Sequence, residues 1–369
     1  MKKHYMCLTI LMFLLSSVLA FAQDKDEAKY YYVGKIGDET SIYQLSVQME
    51  ILVEGSDIRG SFYYEQGGNK GGAVRSLLGQ INSNESTINL VVRGEGGNLK
   101  ARGPLSNKEG DINAKFTPIN GGLGTTINGT YLDKVTSEKL PIKLTKVANY
   151  DFSIIKQGKY SEAKWSYPLL ISDNEVLQKV SVKLRDRMKP QIEEYQKDAK
   201  EGFMTDVITS TWLFTYDYSI EYYSEELISF TGQVYSYTGG AHGNTYFVSS
   251  NYSIKDGDSK LLKLSDLFKE KTDYVSVISD LIIKDLKKQK AGWVVNGEIT
   301  SLKEDEIGPF ALSPRGIQFA FAPYAVGPYS DGAFFVTINY VQLKGIINPK
   351  GTLSQFMGQN NSNPQNSGK

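Results

Sequence analysis

The amino-acid sequence predicts an α+β protein in which an all-β domain precedes a domain of mixed helices and antiparallel strands. Two features of the chain indicate this division. Up to about residue 147, apolar and polar residues alternate in short runs separated by glycine-rich turns, and residues 31–147 hold 18 of the 35 glycines. Beyond that point apolar residues recur at intervals of three and four, and then alternate again, which is typical of helices packed on a sheet.

The first 22 residues have the three parts of a secretory signal peptide. Two lysines precede an apolar run, Leu8–Leu19, and the segment ends with Ala20-Phe21-Ala22. We therefore expect an exported protein of the periplasm, cell surface or medium, whose mature chain begins near Gln23. No second apolar run is long enough to predict a membrane span in that mature chain.

Composition excludes several kinds of site. The chain has 41 basic and 41 acidic residues, two histidines and one cysteine, and both Cys7 and His4 lie in the predicted signal peptide. Without a thiol, the mature chain can form no disulfide, thiol nucleophile or zinc ribbon, and one histidine cannot supply a site that needs two. We expect no cofactor and no metal site, and the balanced charge argues against nucleic acid as a partner.

Residues 23–147 are predicted to form the glycine-rich all-β domain, as a meander or barrel-like sheet. The regular spacing of its alternating runs indicates strands joined by short turns. Examples of the predicted strands are Ile42–Leu52, Ile58–Tyr64, Ile88–Arg93, Ile112–Phe116, Thr125–Leu132 and a last strand at Lys139–Ile142. Residues 146–153 are the predicted domain boundary.

Residues 150–345 are predicted to form the α+β domain, with an antiparallel sheet and two main helices. In the first helix Asp173 can act as the N-cap, and Pro190 should kink the helix or split it in two. The apolar stripe of that helix is Leu177, Val180, Leu184, Met188, Ile192 and Tyr195. The second helix is expected at about Asp273–Gln289.

Alternation predicts the strands of this domain. The segment 212–222 has aromatic residues on one face, and two further strands form a hairpin. Those two strands are Ile228–Tyr237 and Thr245–Ile254, and two late strands are Ile317–Phe321 and Ala333–Tyr340. The polar tail 351–369 is predicted to be disordered.

Residues 198–254 combine negative charge with aromatic side chains. This stretch has seven acidic residues, one basic residue and thirteen aromatic residues. An exposed surface of this kind could attract a cationic protein or stack against sugar rings. The alternative is that the aromatic residues form the core face of the sheet while the carboxylates are solvated.

The turn between the hairpin strands, Tyr237–Thr245, places three glycines around His242. The imidazole could order the turn, contact a partner, or act as a base in a Ser-His-Asp arrangement with Ser236, Ser249 or Asp266. The acidic run Glu304–Glu306 could help to bind a cation or could form a solvated loop.

Three ordered motifs resemble a known extracellular domain. They are the turn Tyr237–Thr245, the segment Leu264–Phe268, and the paired segments Gly316–Tyr324 and Gly327–Gly332. Together they are similar to the carboxyl-terminal domain of RsiV-type, lysozyme-sensing anti-sigma factors and of PdaC-type peptidoglycan deacetylases, in the latter outside the catalytic region. The resemblance covers about residues 150–345 and does not extend to the glycine-rich β domain. It implies contact with cell-wall glycan or with a lysozyme-like protein.

The residues expected to contact that ligand lie in the turn and in the loop between the late strands. They are Tyr237, Gly239, Gly240, His242, Asn244, Tyr324, Tyr329 and Asp331. A deacetylase that uses histidine ligands does not fit a mature chain with one histidine. The sequence therefore favours a non-catalytic cell-envelope binding protein. The alternatives are a peptidoglycan-processing enzyme that uses carboxylates, or a structural protein of envelope assembly.

Overall fold

The computed structural model of the chain describes residues 27–41, 44–64, 74–94, 108–119, 122–157, 161–204 and 211–357. The predicted signal peptide and the end of the predicted tail, from residue 358, lie outside the described residues. Among the helices of the described ranges, none combines the length and apolarity needed to cross a membrane.

Eight antiparallel strands close into a barrel, because the first strand pairs with both the second and the eighth. The alternating runs thus form a meander that closes into a barrel, as predicted. The strands are β1 Glu27–Ile36, β2 Leu45–Glu54, β3 Asp57–Tyr64, β4 Val74–Asn82, β5 Thr87–Arg93, β6 Lys108–Phe116, β7 Thr126–Asp133 and β8 Lys139–Gln157. Neither β1 nor β4 is among the predicted strands given above.

The barrel interior is filled by apolar side chains, one from every second residue of each strand, including Tyr32, Met49 and Phe62. Two glycines allow its strands to approach closely. A β-carbon would lie 2.0 Å from the Glu50 carbonyl oxygen at Gly60, and 2.2 Å from the Asn113 carbonyl oxygen at Gly129. Any larger residue at either position would push neighbouring strands apart.

The predicted domain boundary at 146–153 lies inside one 19-residue strand, β8. The first part of β8 pairs with β7 and β1 in the barrel, and its second part pairs with β9. The sheet therefore continues from the barrel into the following domain without an intervening linker at that point.

The continuing sheet consists of β9 Ser161–Leu170, β10 Trp212–Tyr223, β11 Leu227–Tyr237, β12 Asn244–Lys255 and β13 Asp258–Leu261. Its strands are antiparallel, as predicted, except that β9 and β10 are parallel. A parallel pair needs a long crossover connection, and helix α1, Glu175–Met204, lies within that connection.

Helix α1 buries the predicted apolar stripe against the sheet. One detail of the helix prediction was wrong, and one of its two alternatives for Pro190 is excluded. The side chain of Asn174, rather than Asp173, accepts a hydrogen bond from the Val176 N–H at 2.9 Å. The helix is also not split, and continues through Pro190. Pro190 is exposed, so water can reach the carbonyl group that its ring leaves without a helical partner.

A three-stranded antiparallel sheet covers the other face of the continuing sheet. Its strands are β14 Phe310–Ser313, β15 Gly316–Phe321 and β16 Phe334–Ile338. Helix α2, Tyr274–Gln289, lies where the second helix was predicted, with Asp273 as its N-cap, and its apolar side packs on this sheet. The short helices are α3 Gly292–Val295, α4 Tyr340–Leu343 and α5 Ser354–Met357.

The beginning of the predicted disordered tail is ordered in the structure. Leu353 and Phe356 are buried, and the Phe356 ring stacks on Tyr340 with ring centroids 5.2 Å apart. These two apolar residues anchor α5 to the core, so the prediction of disorder was wrong for residues 351–357.

The aromatic residues of β10 belong to the core. Phe214, Tyr216 and Tyr218 are buried in the cluster that packs beneath α1. The opposite face of β10 is polar, but its carboxylates are not simply solvated as expected. Asp217 accepts a hydrogen bond from the Ser166 hydroxyl at 2.7 Å, and burial raises the pKa of Asp217 to about 6.

This polar face of β10 contacts the outside of the barrel. The Lys29 ammonium group forms an ion pair of 2.9 Å with Glu50 and donates to the Ser219 hydroxyl at 3.1 Å. The Tyr150 hydroxyl donates to Glu50 at 2.5 Å and accepts from the Ile220 N–H at 3.2 Å. A network of buried charges and hydroxyls thus joins the barrel to the mixed sheet.

Candidate functional site

The predicted turn connects β11 to β12 and depends on glycine. Gly239 and Gly240 have φ values of 99° and 94°, which side-chain-bearing residues rarely adopt. The Tyr237 hydroxyl donates to the Gly240 carbonyl at 3.1 Å and so closes the turn. At Gly243 a β-carbon would lie 2.4 Å from the Tyr235 ring, so this glycine permits a close approach.

His242 lies on the exposed side of this turn and stacks on Tyr329. The two ring centroids are 3.7 Å apart and the ring planes differ by 17°. The Tyr329 hydroxyl donates to the Gly243 carbonyl at 3.0 Å, and His242 Nδ1 lies 3.1 Å from the same oxygen. The turn and the loop before β16 are therefore held together by stacking and by a shared carbonyl acceptor.

Tyr324 lies beside this stacked pair at the surface, with its ring tilted by about 40° to both rings. Its ring centroid lies 5.5 Å from that of Tyr329 and 6.3 Å from that of His242, and 51% of the residue is exposed. The structure thus brings together three of the predicted site residues, and we call His242, Tyr324 and Tyr329 the aromatic cluster.

Tyr324 has a strained backbone. The Ala325 N–H donates to the Ala322 carbonyl at 3.0 Å and closes a four-residue turn with Pro323 in its second position. Tyr324 occupies the third position with a φ of 70°. Because proline fixes a negative φ, the turn is of type II, and its third position is usually glycine or asparagine.

The other predicted site residues support the cluster or lie beside it. Asp331 accepts a hydrogen bond from the Gly292 N–H at 2.9 Å and thereby attaches the loop to the start of α3. Asn244 is exposed at the first position of β12, opposite Ser236. Tyr237, Gly239 and Gly240 shape the turn that carries His242.

Two of the three residues considered as catalytic partners of His242 have other contacts. Ser249 accepts from the Phe310 N–H at 3.1 Å, and Asp266 forms an ion pair of 2.7 Å with Lys260. Within the described part of the chain, no serine hydroxyl or carboxylate hydrogen-bonds to the imidazole. Over the same residues, no group of three or more histidine, aspartate or glutamate side chains is arranged to hold a metal ion.

A groove of about 650 Å³, which sequence analysis did not find, adjoins the cluster. Ala322 and Ala325, on either side of Tyr324 in the turn, form part of its wall. Tyr246 forms another part of the wall and donates its hydroxyl to Gln191 of α1 at 2.9 Å. The remaining lining residues are Phe247, Glu298, Ile299, Thr300, Ser301, Leu302, Lys303, Asp305, Glu306, Gly308, Pro309, Ala320 and Phe321.

The acidic run 304–306 lies at this groove as a short 3₁₀ helix. Glu306 accepts from the Lys303 N–H at 2.8 Å, and Glu304 accepts from the Tyr274 hydroxyl. Burial of the Tyr274 ring, and to a smaller extent this contact with Glu304, raise the pKa of Tyr274 to about 12. Two of the three carboxylates therefore stabilise the loop itself.

Comparison with known proteins identifies two segments of the chain. Residues 154–245 match the family described as deacetylase PdaC, and residues 265–341 match a protein family of unknown function, DUF3298. The RsiV-type part of the predicted resemblance remains a prediction.

Three individual proteins are similar to parts of this chain. The peptidoglycan-N-acetylmuramic acid deacetylase PdaC of Bacillus subtilis (strain 168) is 26% identical over 198 residues, which are 53% of this chain and 41% of that protein. A crystal structure of a DUF3298 family protein from Pseudomonas aeruginosa PAO1 has 18% identity and a TM-score of 0.36, covering 55% of this chain and 92% of that one. A DUF3298 member from Bacteroides fragilis NCTC 9343 has 17% identity and a TM-score of 0.37, covering 58% and 98%. The family match and the Bacillus subtilis relative thus confirm the predicted resemblance of the carboxyl-terminal region to PdaC-type proteins.

Proposed function

We propose that this chain is an exported, non-catalytic protein of the cell envelope that binds peptidoglycan glycan through the aromatic cluster. The observation that carries the proposal is the convergence of His242, Tyr324 and Tyr329 on one exposed surface beside the groove. Exposed, rigid aromatic rings beside a concave surface are typical of ligand-binding sites.

The preformed geometry of the cluster supports a binding role. Tyr329 is fixed by its hydrogen bond to Gly243 and by its stack on His242, so little side-chain freedom is lost when a ligand binds. Tyr324 presents its ring from a backbone conformation that costs free energy, and such conformations are concentrated at functional sites.

The carboxyl-terminal region supports the choice of ligand. Its relative in Bacillus subtilis is a peptidoglycan deacetylase, and the predicted signal peptide would deliver the chain to the envelope. The lack of a hydroxyl or carboxylate partner for His242 among the described residues supports binding rather than catalysis.

Lysozyme, the other expected partner, has less support from the fold. The sequence argument depended on an exposed acidic and aromatic face at residues 198–254. Much of that face is enclosed, since Tyr216 and Tyr218 lie in the core and Asp217 lies near the junction with the barrel. We therefore place the glycan first and treat lysozyme as a competing outcome.

Co-sedimentation with purified sacculi tests the proposal. We expect the full chain to pellet with sacculi, and Tyr324→Ala to weaken binding about tenfold, which corresponds to ~1.4 kcal/mol. Val341→Ala, an exposed apolar residue on α4, is the control and should bind like the wild type.

Two results would overturn the proposal. One is absence of binding to sacculi, with or without binding of lysozyme in calorimetry. The other is release of reducing sugar ends from the sacculi by the pure protein, because that would show an enzyme.

A further inference from the structure

The groove beside the aromatic cluster combines an apolar floor with a polar rim. Phe247, Phe321 and Pro309 contribute apolar surface, whereas Thr300 and Ser301 contribute hydroxyl groups. Its volume of about 650 Å³ is within the range of sites that enclose a drug-sized ligand. A sugar ring suits such a surface, because it has apolar C–H faces and a polar edge.

The rim of the groove carries excess negative charge. The lining includes three carboxylates, those of Glu298, Asp305 and Glu306, and one ammonium group, that of Lys303. Glu306 is occupied by the backbone of Lys303. Neither Glu298 nor Asp305 has a salt bridge or side-chain hydrogen bond to any other described residue, so both are available to a ligand.

The groove and the aromatic cluster are parts of one surface. The turn 322–325 carries the Tyr324 ring and also supplies Ala322 and Ala325 to the groove wall. A chain of sugar rings that stacks on Tyr324 would therefore reach the groove with its next rings.

We infer that the groove binds a segment of glycan whose amino sugars carry free, protonated amino groups instead of N-acetyl groups. This inference rests on the proposed function and adds the chemical class of the ligand. Charge complementarity carries it: an ammonium group can form a charge-assisted pair with Glu298 or Asp305, whereas an N-acetyl group offers only one neutral N–H donor. A carboxylate-bearing substituent is repelled.

Calorimetry with two oligosaccharides tests the inference on the full chain. Tetra-glucosamine and tetra-N-acetylglucosamine have the same backbone and differ only in the acetyl groups. At pH 5.5 and low salt we expect the deacetylated tetramer to bind at least tenfold more tightly, and the ratio to shrink as salt is added.

Isosteric substitutions separate the charges from the fold. Glu298→Gln and Asp305→Asn should each lower the ratio severalfold while binding of the acetylated tetramer stays unchanged. Tyr324→Ala should weaken both ligands by the same factor. The control is Glu175→Gln, which removes one carboxylate from the start of α1. Residue 175 lies about 24 Å along the helix from Gln191, the residue that contacts the groove wall.

The outcomes distinguish this inference from the proposed function. Equal or tighter binding of the acetylated tetramer would overturn the inference alone, as would a tenfold ratio that survives both substitutions. A chain that binds neither tetramer and does not pellet with sacculi would overturn the proposed function as well.

Discussion

The third position of the 322–325 turn offers a way to separate the role of Tyr324 in folding from its role in binding. Tyr324 has a φ of 70°, which disfavours every residue with a β-carbon except asparagine and aspartate. Tyr324→Ala and Tyr324→Gly both delete the ring and lose the same contacts with His242 and Tyr329. The two variants differ in their tolerance of this backbone conformation.

We therefore expect the glycine variant to be the more stable of the pair, by ~1 kcal/mol. This order is the reverse of the usual one, since glycine normally destabilises a folded chain relative to alanine by increasing the entropy of the unfolded state. For a cooperative unit of roughly 200 residues, ~1 kcal/mol corresponds to a melting temperature about 2–4 °C higher.

Thermal unfolding followed by near-ultraviolet circular dichroism provides the comparison. Equal melting temperatures, or a higher one for Tyr324→Ala, would refute the argument that the turn holds Tyr324 in a strained conformation. Binding to sacculi should fall equally in both variants, because both lack the ring. A glycine variant that binds like the wild type would show that the ring does not contact glycan.

Three further predictions concern the turn and the junction with the barrel. Gly243→Ala should lower the free energy of unfolding by ~2 kcal/mol in a thermal melt, because its β-carbon would collide with the Tyr235 ring; an unchanged melting temperature would contradict this. Lys29→Met should lower the free energy of unfolding by about 3 kcal/mol in urea denaturation, because it leaves the largely buried Glu50 carboxylate without its cation, and adding Glu50→Gln should recover part of that loss. A double variant no more stable than the single one would contradict this. Burial raises the pKa of Asp217 from 3.8 to about 6, so its ionisation opposes folding above pH 4. The free energy of unfolding of Asp217→Asn, relative to that of the wild type, should therefore rise by up to ~3 kcal/mol between pH 4 and pH 6 and then level off. A difference independent of pH would contradict this.

Sequence patterns predicted the helices, because apolar spacing and capping depend on residues that are close in the chain. The apolar stripe of α1 could be predicted from its spacing, and the position of α2 from a second run of apolar residues at intervals of three and four. The choice between Asp173 and Asn174 as the cap of α1 was less determined, because both are strong capping residues and stand side by side.

Long-range pairing could not be predicted in the same way. Closure of the barrel joins β1 to β8, which are separated by more than a hundred residues, and alternation along a strand does not specify its partner. The parallel pairing of β9 with β10 likewise follows from the crossover through α1. Leu353 and Phe356 were missed because two apolar residues in a polar tail are too few to form a pattern.

The candidate site was predicted in part. The turn glycines and the exposed tyrosines indicated its residues, but the stacking of His242 on Tyr329 depends on how two sheets pack. Asp331 was expected to contact the ligand. In the structure its carboxylate accepts a hydrogen bond from the Gly292 N–H and so attaches the loop to α3. The groove left no sequence motif, because its lining comes from loops and strand ends that are far apart in the chain.

The imidazole of His242 offers the most direct measurement of glycan binding at the aromatic cluster. The full chain has two histidines, and the nitrogen-15 imidazole signal that disappears in His242→Gln identifies this one. Addition of soluble glycan strands released from sacculi should shift the His242 signal in a saturable way, with the dissociation constant found by calorimetry. A glycan that binds by calorimetry and leaves the His242 signal in place would contradict the account, because binding would then occur elsewhere.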